Sequence, residues 1–381
     1  MYSIGSMKPT DGLFDGIRPY SDAGIPDAMH RIAADPMFPS LAGFVFPERD
    51  ADDVRRQLLS ITTIGEFQRK MMYNANRQII RRSITALSYG GISNVTSGRS
   101  CLFVSNHRDI MLDASLLQNI LLDNGLDTSE ITFGANLMQG QLIIDIGKSN
   151  KMFRVERPNG SARDLYKSSQ LLSDYIRDAI VSRGQSVWIA QRNGRTKDGR
   201  DRTDQGLVKM LCMSGRDGNP SALADLNIVP VSVSYEWESC DFLKVHELHA
   251  CSAGPYVKRP GEDLNSILTG ILQPKGRVHI EICSPVTADD LAPFAELPPN
   301  AFHHEVADII DRRICSSYRL YPNNYIAHDM LHGADTYSDF YSSEEKELFI
   351  RHLDEFGSHD SLLLGIYANP VDSRAEYSSL K

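Results

Sequence analysis

The sequence has few cysteines and no long apolar run. Its six cysteines are scattered over 381 residues without a C-x-x-C motif, which argues against a disulfide framework and against a zinc site. No apolar stretch approaches the roughly 20 residues of a membrane-spanning helix, and the first residues lack the basic and apolar regions of a signal peptide. We therefore expect a cytoplasmic protein, with any membrane contact peripheral and on the inner face.

Positive charge is also in short supply, since the net charge is −9. This balance excludes a nucleic-acid binder that depends on overall charge, and we expect no nucleic-acid partner. The remaining composition, 41% hydrophobic and 23% charged, is typical of a globular protein with a sizeable core.

The middle of the chain alternates short apolar segments with helical patterns. Strand candidates are residues 102–104, 131–133, 152–155, 187–190, 228–235 and 278–283, and helix candidates between them include 110–122, 162–183 and 205–213. Such alternation predicts an α/β fold with a mixed, largely parallel sheet flanked by helices. We divide the chain into an irregular and helical N-terminal segment (1–90), an α/β domain (91–290) and a C-terminal helical extension (291–381).

Residues 50–87 show a helical pattern with an apolar side and a crowded basic side. The basic residues are Arg69, Lys70, Arg77, Arg81 and Arg82. A helix of this kind can lie on an anionic membrane surface, or it can pack its apolar side on the core and leave the basic side in water. We favour packing and keep the peripheral membrane contact as the alternative.

The stretch from Val104 to Asp113 places a histidine between a buried strand and a helix. His107 lies at the turn, and Asp109 is a good N-cap for the helix that follows. Asp113 lies one turn into that helix, where a carboxylate can hold one tautomer of the imidazole. The sequence leaves open which aspartate orients His107, and we choose Asp113.

Three further clusters follow later strand candidates. Residues 153–157 bring two arginines to a strand end, residues 191–197 form a basic loop that contains a glycine, and residues 228–235 form an apolar strand with a polar end. Ligands of open α/β sheets bind beyond the carboxyl ends of the strands. A histidine base and several arginines there would suit a substrate with a hydroxyl to activate and a phosphate to hold.

The order of these clusters resembles the glycerolipid acyltransferases, which include the glycerol-3-phosphate and lysophosphatidic acid acyltransferases. The first motif of that family, Asn-His with a following Asp, is similar to Asn106-His107 with Asp113, although five residues rather than four separate the His and the Asp. Phe153 with Arg157 resembles the second motif, with Arg154 as a competing assignment, and Ile228-Val229-Pro230-Val231 with Tyr235 resembles the fourth. The third, Pro-Glu-Gly with an Arg, is matched loosely by Asn193-Gly194-Arg195, where Asn193 replaces the Glu. The resemblance covers roughly residues 99–290.

The resemblance implies acyl transfer from acyl-CoA or acyl-carrier protein to the hydroxyl of a phosphorylated glycerolipid. His107 would be the general base and Asp113 its partner, and no metal or other cofactor is implied. The expected substrate-binding residues are Asn106, Phe153, Arg157, Arg192, Asn193, Gly194 and Arg195. Lysophosphatidic acid is the favoured acceptor. The alternatives are glycerol-3-phosphate, an amino-acid-based lipid, or a non-catalytic lipid- or membrane-binding protein on the same fold.

Overall fold

The computed structural model describes residues 12–156, 161–215, 221–254, 256–357 and 360–378. Within these residues, a sheet of seven strands has the order β1-β7-β6-β2-β5-β3-β4. The strands are β1 (Ile84–Gly90), β2 (Leu102–Ser105), β3 (Glu130–Gly134), β4 (Met152–Val155), β5 (Val187–Ala190), β6 (Ile228–Tyr235) and β7 (Gly276–Ile282). Every pair is parallel except β6 with β7. The expectation of an α/β fold with a mixed, largely parallel sheet is confirmed.

Helices precede, connect and follow the strands. The N-terminal ones are α1 (Ile25–Ala34), α2 (Phe38–Val45), α3 (Ala51–Leu59), α4 (Ile64–Phe67) and α5 (Tyr73–Ser83), with a π-helical segment, Gln68–Met72, between the last two. Those between strands are α6 (Leu112–Asp123), α7 (Gln141–Ser149), α8 (Ala162–Arg177), α9 (Gln205–Cys212), α10 (Ser221–Ala224), α11 (Asp241–Ala253) and α12 (Glu262–Leu272). After β7 come α13 (Ala288–Leu291), α14 (Pro299–Ser317), α15 (Pro322–His332), α16 (Ser343–Phe356) and α17 (Ser361–Ser378). No helix within the described residues is long and apolar enough to cross a membrane.

The helical pattern predicted for residues 50–87 is wrong at both its middle and its end. It breaks after α3, where Asp50 and Thr63 cap two separate helices, and it stops at Ser83. Residues 84–90 form β1 instead, an outer strand paired with β7. Because β7 lies about 190 residues later in the chain, the pairing that makes this segment a strand leaves no local signal. The division of the chain into domains stays a prediction.

The core lies on both faces of the sheet. Successive residues of β2 point to opposite faces: Val104 belongs to the apolar cluster that includes α14 residues such as Val306, while Phe103 belongs to the cluster that includes α6 residues such as Leu117. The N-terminal helices share a separate apolar cluster that buries Phe67, Met71 and Ala75.

The basic face formed by the π-helical segment Gln68–Met72 and by α5 is exposed to water. Arg69, Arg77, Arg81 and Arg82 are exposed, whereas the apolar face of the same helices is covered by protein. This arrangement is the packed alternative of the two weighed from the sequence.

The C-terminal extension is helical, as the sequence predicts. Helix α15 begins at Pro322, within a tyrosine-rich stretch at 318–325, and α17 continues to Ser378. Helix α17 packs against the loop after β5, where Gly199 has φ +80° and the Ile366 carbonyl occupies the space that a Cβ would need. The Asn369 amide also donates to the Asp198 carbonyl at 2.6 Å.

We predict that Gly199→Ala destabilises the protein more than Gly98→Ala does. Both glycines have φ near +80°, so both substitutions carry the left-handed penalty of about 1–2 kcal/mol. Gly98 has open space around it, whereas a methyl group added at Gly199 would collide with α17, which adds about 1–3 kcal/mol of overpacking. Urea unfolding of the two variants measures the difference. Equal losses would show that the contact with α17 is not tight.

Candidate active site

His107 lies in the loop between β2 and α6, with its ring mostly buried and 15% of the side chain exposed. Its Nδ1 lies 3.0 Å from Oδ2 of Asp113, which is fully buried. Since a carboxylate can only accept, this contact assigns the proton to Nδ1 and leaves Nε2 with a free lone pair. Of the two aspartates, Asp113 is thus the one in contact with the ring. Its catalytic role stays a prediction.

The Asp113 carboxylate is held by more than the histidine. Its Oδ2 also accepts from the backbone N–H groups of Arg108 and Asp109, at 2.7 and 2.9 Å. Its Oδ1 accepts from the Tyr235 hydroxyl at 2.8 Å. Burial and the neighbouring Asp113 charge raise the pKa of Tyr235 well above its ordinary value, so the phenol stays a donor.

Asp109 has a different task, as its predicted role of helix cap indicated. Its Oδ1 accepts from the backbone N–H groups of Met111 and Leu112, both at 2.8 Å, and its Oδ2 accepts from the Ser239 hydroxyl. Since α6 begins at Leu112 with Met111 at its N-cap position, Asp109 caps the turn that leads into the helix and does not occupy the N-cap itself. Both oxygens of Asp109 are engaged away from the imidazole.

Asn106 was expected to contact substrate, and the structure corrects this. Its side chain is fully buried and makes paired hydrogen bonds with the backbone of Val233 on β6, at 2.7 and 3.0 Å. Its amide also donates to Asp201 at 2.9 Å. Asn106 therefore fastens the end of β2 to β6, and it positions His107 instead of touching a ligand.

A buried cluster of charges lies behind the histidine. Arg108, which is 1% exposed, pairs with Asp201 at 2.7 Å and with Glu238 at 3.2 Å. Lys244 shares Glu238 and donates to the Arg108 carbonyl at 2.8 Å. Burial alone would lower the pKa of Arg108, but the charges of Asp201 and Glu238 hold it well above its ordinary value. Two cations and two anions thus neutralise each other beneath the site.

A cavity of about 240 Å³ borders the His107 ring. Trp188 lies edge-on to the imidazole, with ring centroids 5.9 Å apart. Much of the wall is apolar, formed by Ile110, Phe133, Val155, Leu172, Trp188 and Met210. At its polar rim lie Arg192, Asn193 and Gly194. The structure therefore brings these three predicted substrate-binding residues together with His107.

Arg195 borders a second, more polar cavity of about 630 Å³, which also involves His246 and Arg259. The Arg195 side chain is buried, with the residue 7% exposed, and one of its terminal nitrogens has no hydrogen-bond partner among the described residues. The backbone N–H of Thr196 donates to the His107 carbonyl at 2.7 Å. Arg192 and Arg195 lie on either side of Gly194, next to His107. They line two different cavities and not a common one.

The second-motif residues do not reach the cavity in the way the sequence suggested. Phe153 is fully buried in β4, with its ring centroid 4.8 Å from that of Tyr175, so it is a core residue and not a substrate contact. Arg157 lies outside the described residues. Arg154, its competitor, pairs with Glu156 at 2.7 Å.

A third cavity of about 220 Å³ has an entirely apolar surface. It lies among helices α1 to α5, and Met111 and Leu112 close it on the side of the active-site loop. Ile110 lines the His107 cavity and the next residue lines this one, so the start of α6 separates the two.

With this geometry in place, comparison with known proteins is informative. Residues 86–234 match a family model described as Acyltransferase. This part of the chain is an acyltransferase-family domain. The matched range contains His107, Asp113 and the loop at Gly194, and it begins within β1 and ends within β6.

The chain is similar to the crystal structure of the 1-acyl-sn-glycerophosphate acyltransferase PlsC from Thermotoga maritima, at 16% identity and a TM-score of 0.35, over 76% of this chain and 94% of that one. No curated protein sequence matches the chain.

Sequence reasoning missed several residues that shape the acyltransferase site. Tyr235 was recognised only as the end of the fourth-motif strand and not as a partner of Asp113, and nothing in the sequence placed Trp188 beside His107. The partners of Arg108 come from two distant segments and share no spacing that could announce them. What could have been noted is the density of charged residues at 197–204 and 236–247, which is unusual beside buried strands.

We predict that Asp113→Asn lowers kcat for acyl transfer by about 10²–10⁴-fold, since an amide at this position no longer selects the tautomer with a free Nε2. Tyr235→Phe should lower kcat by about 10-fold, because one of the hydrogen bonds that fix the carboxylate is lost. The assay is thioester consumption across a pH series. Tyr73→Phe is the matched control, since it also removes a tyrosine–aspartate hydrogen bond, to Asp123, away from the site. An unchanged rate in Asp113→Asn would contradict the assignment.

Proposed function

We propose that this protein transfers a fatty acyl group from an acyl thioester to a free hydroxyl of a phosphorylated glycerolipid, with lysophosphatidic acid as the favoured acceptor. The observation that carries the proposal is the contact between His107 and the fixed Asp113, at the mouth of a largely apolar cavity that Arg192 also borders. An acyltransferase-family domain with this arrangement has a base, an apolar chain site and a cationic rim next to each other.

In this reaction His107 Nε2 takes the proton of the acceptor hydroxyl as its oxygen attacks the thioester carbonyl. The tetrahedral intermediate collapses with cleavage of the C–S bond, and the thiolate that leaves receives the proton from the imidazolium. Asp113 stabilises the transient imidazolium, and it does not move because three other donors hold it. A general base of this kind contributes about 10²–10⁴-fold to the rate. Backbone N–H groups of the loop at Gly194 would stabilise the oxyanion.

The phosphate of the acceptor would bind the cationic loop on either side of Gly194. Arg192 borders the His107 cavity, and a buried nitrogen of Arg195 that finds no acceptor in the described part of the chain could bind a phosphate oxygen. Arg157 joins them in our proposal on the strength of the motif resemblance alone. Asn193, at the place of an acid in the family motif, removes a negative charge that would oppose the phosphate.

Two apolar cavities favour lysophosphatidic acid over glycerol-3-phosphate. Transfer to lysophosphatidic acid involves two acyl chains, that of the donor and that of the acceptor, whereas transfer to glycerol-3-phosphate involves one. The cavities that flank Ile110 and Met111 would provide a site for each chain. The non-catalytic alternative rested on the extra residue before Asp113, and the observed contact of Asp113 with His107 counts against it.

The decisive experiment is an acceptor screen with a labelled acyl thioester, using acyl-CoA and acyl-carrier protein as parallel donors. We expect acylation of lysophosphatidic acid, weaker acylation of glycerol-3-phosphate and none of monoacylglycerol, which lacks the phosphate. His107→Ala should lower kcat by about 10²–10⁴-fold. His30→Ala, a change at an exposed histidine of α1, serves as the matched control. Full acyl transfer by the His107 variant would refute the mechanism, and absence of transfer by the wild type to every phosphorylated acceptor would refute the function.

We also propose peripheral binding to anionic membranes through the exposed arginines of the N-terminal helices. Because the apolar face of these helices is already buried, the attraction should be electrostatic and should weaken with salt. Each basic residue near such a surface contributes about 1 kcal/mol, or roughly 5-fold in binding.

We therefore predict that Arg77→Glu with Arg81→Glu lowers binding to phosphatidylglycerol vesicles by at least roughly 25-fold. Co-sedimentation at low and high ionic strength measures the effect. Arg312→Glu, at a half-exposed arginine of α14, is a single charge-reversal control outside the N-terminal helices and should lower binding far less. Binding that changes neither with ionic strength nor with the two substitutions would contradict the proposed membrane-binding surface.

A further inference from the structure

Two histidines and an aspartate meet between α15 and α17, in the C-terminal extension. His328 and His332 lie one turn apart on α15, with ring centroids 4.4 Å apart. Asp372, on α17, has its Oδ1 at 3.2 Å from His328 Nε2. One potential ligand atom from each of the three residues lies within 4.8 Å of the others. These residues lie outside the range that matches the acyltransferase family, and the reaction proposed above does not use them.

The separations suit a small divalent metal ion. Zinc bound at about 2.0–2.2 Å by nitrogen and oxygen in tetrahedral geometry holds its ligand atoms about 3.3–3.6 Å apart. The contact between His328 and Asp372 is already close to that distance, and His332 is exposed and free to adjust. A donor set of two imidazoles and one carboxylate suits zinc better than it suits magnesium or calcium, which favour oxygen ligands alone.

The surroundings of His328 supply a second observation. Its Nδ1 is buried and has no hydrogen-bond partner among the described residues, while Oδ1 of the buried Asp329 lies 3.8 Å away. A histidine that binds a metal through one nitrogen usually donates its other N–H to a carboxylate. A small rotation of the ring toward Asp329 would complete that arrangement.

The neighbouring cation does not remove the need for a partner at Asp372. Arg200 approaches its Oδ2 at 4.0 Å, at the limit of an ion pair, and both side chains are more than a third exposed. Such a contact contributes little. It also leaves Oδ1, the oxygen that faces His328, available to a metal.

We propose that His328, His332 and Asp372 bind one zinc ion, with the fourth position open to water. The ion would tie α17 to α15. Because α17 holds the loop after β5 through Asn369 and packs on Gly199, zinc would stiffen the support of that loop without taking part in acyl transfer.

The test uses the full chain without an affinity tag, stripped of metal and titrated with Zn²⁺ and with Co²⁺ as a spectroscopic probe. We expect one equivalent to bind, with tetrahedral Co²⁺ d–d bands and no thiolate charge-transfer band. Saturation should raise Tm by roughly 3–6 °C and protect the amides of α17 from hydrogen exchange.

His332→Ala should weaken zinc affinity by more than about 100-fold, and Asp329→Asn by about 10–100-fold. Since His332 is exposed, its variant should keep the Tm of the metal-free wild type. His304→Ala, at an exposed histidine of α14, is the matched control and should bind as the wild type does. The proposal is overturned if the wild type binds no zinc, if His332→Ala binds it equally well, or if a thiolate band places the ion at a cysteine.

Discussion

The buried carboxylate of Asp113 is the constraint on which the acyltransferase site depends. A buried charge is costly unless it is fully hydrogen-bonded, and this one is met by the His107 ring, the Tyr235 hydroxyl and the backbone N–H groups of Arg108 and Asp109. Those donors come from the loop before α6 and from the end of β6. The carboxylate therefore sets the path of the loop as well as the tautomer of the ring. The residue in excess of the family spacing is accommodated because the loop wraps around this oxygen.

A second layer of charge ties the C-terminal extension to the same site. Arg108 is neutralised by Asp201 and Glu238, and the ring of Tyr318, just past α14, lies 5.0 Å from its guanidinium carbon. Tyr367 on α17 accepts from the Glu238 backbone N–H and donates to Asp241. Removing one member of such a cluster leaves a buried charge without its partner, which is strongly destabilising. The extension thus places Tyr318 against Arg108 and Tyr367 beside Glu238, although it lies outside the family match.

The sequence predicted what is local and missed what depends on distant partners. Six strands were found because buried parallel strands are continuous apolar runs, whereas β1 was missed because only its pairing with β7 makes it a strand. The short spacing of His107, Asp109 and Asp113, within seven residues, allowed the contact of Asp113 with the ring and the capping role of Asp109 to be anticipated. Asn106 and Phe153 were expected to contact substrate, but their side chains point into the protein interior, and the Arg195 side chain points toward a second cavity beside that of His107. That direction is decided by strand register and by the neighbouring element, which a single sequence does not contain.

The charge of the loop after β5 bears on which acceptors the site would favour. Between positions 192 and 195 the chain carries two arginines and no acid, where the family motif has a glutamate. One arginine borders the base, and the other is buried with a nitrogen that has no partner among the residues that the structure describes. Charges that are partly removed from water attract a dianion more strongly than a monoanion, and they gain little from a neutral group. If the acceptor binds here as proposed, a phosphate monoester, with up to two negative charges, would fit this loop better than a zwitterionic or uncharged head group. The replacement of the glutamate by Asn193 strengthens that preference, because no carboxylate remains in the loop segment to compete for the arginines.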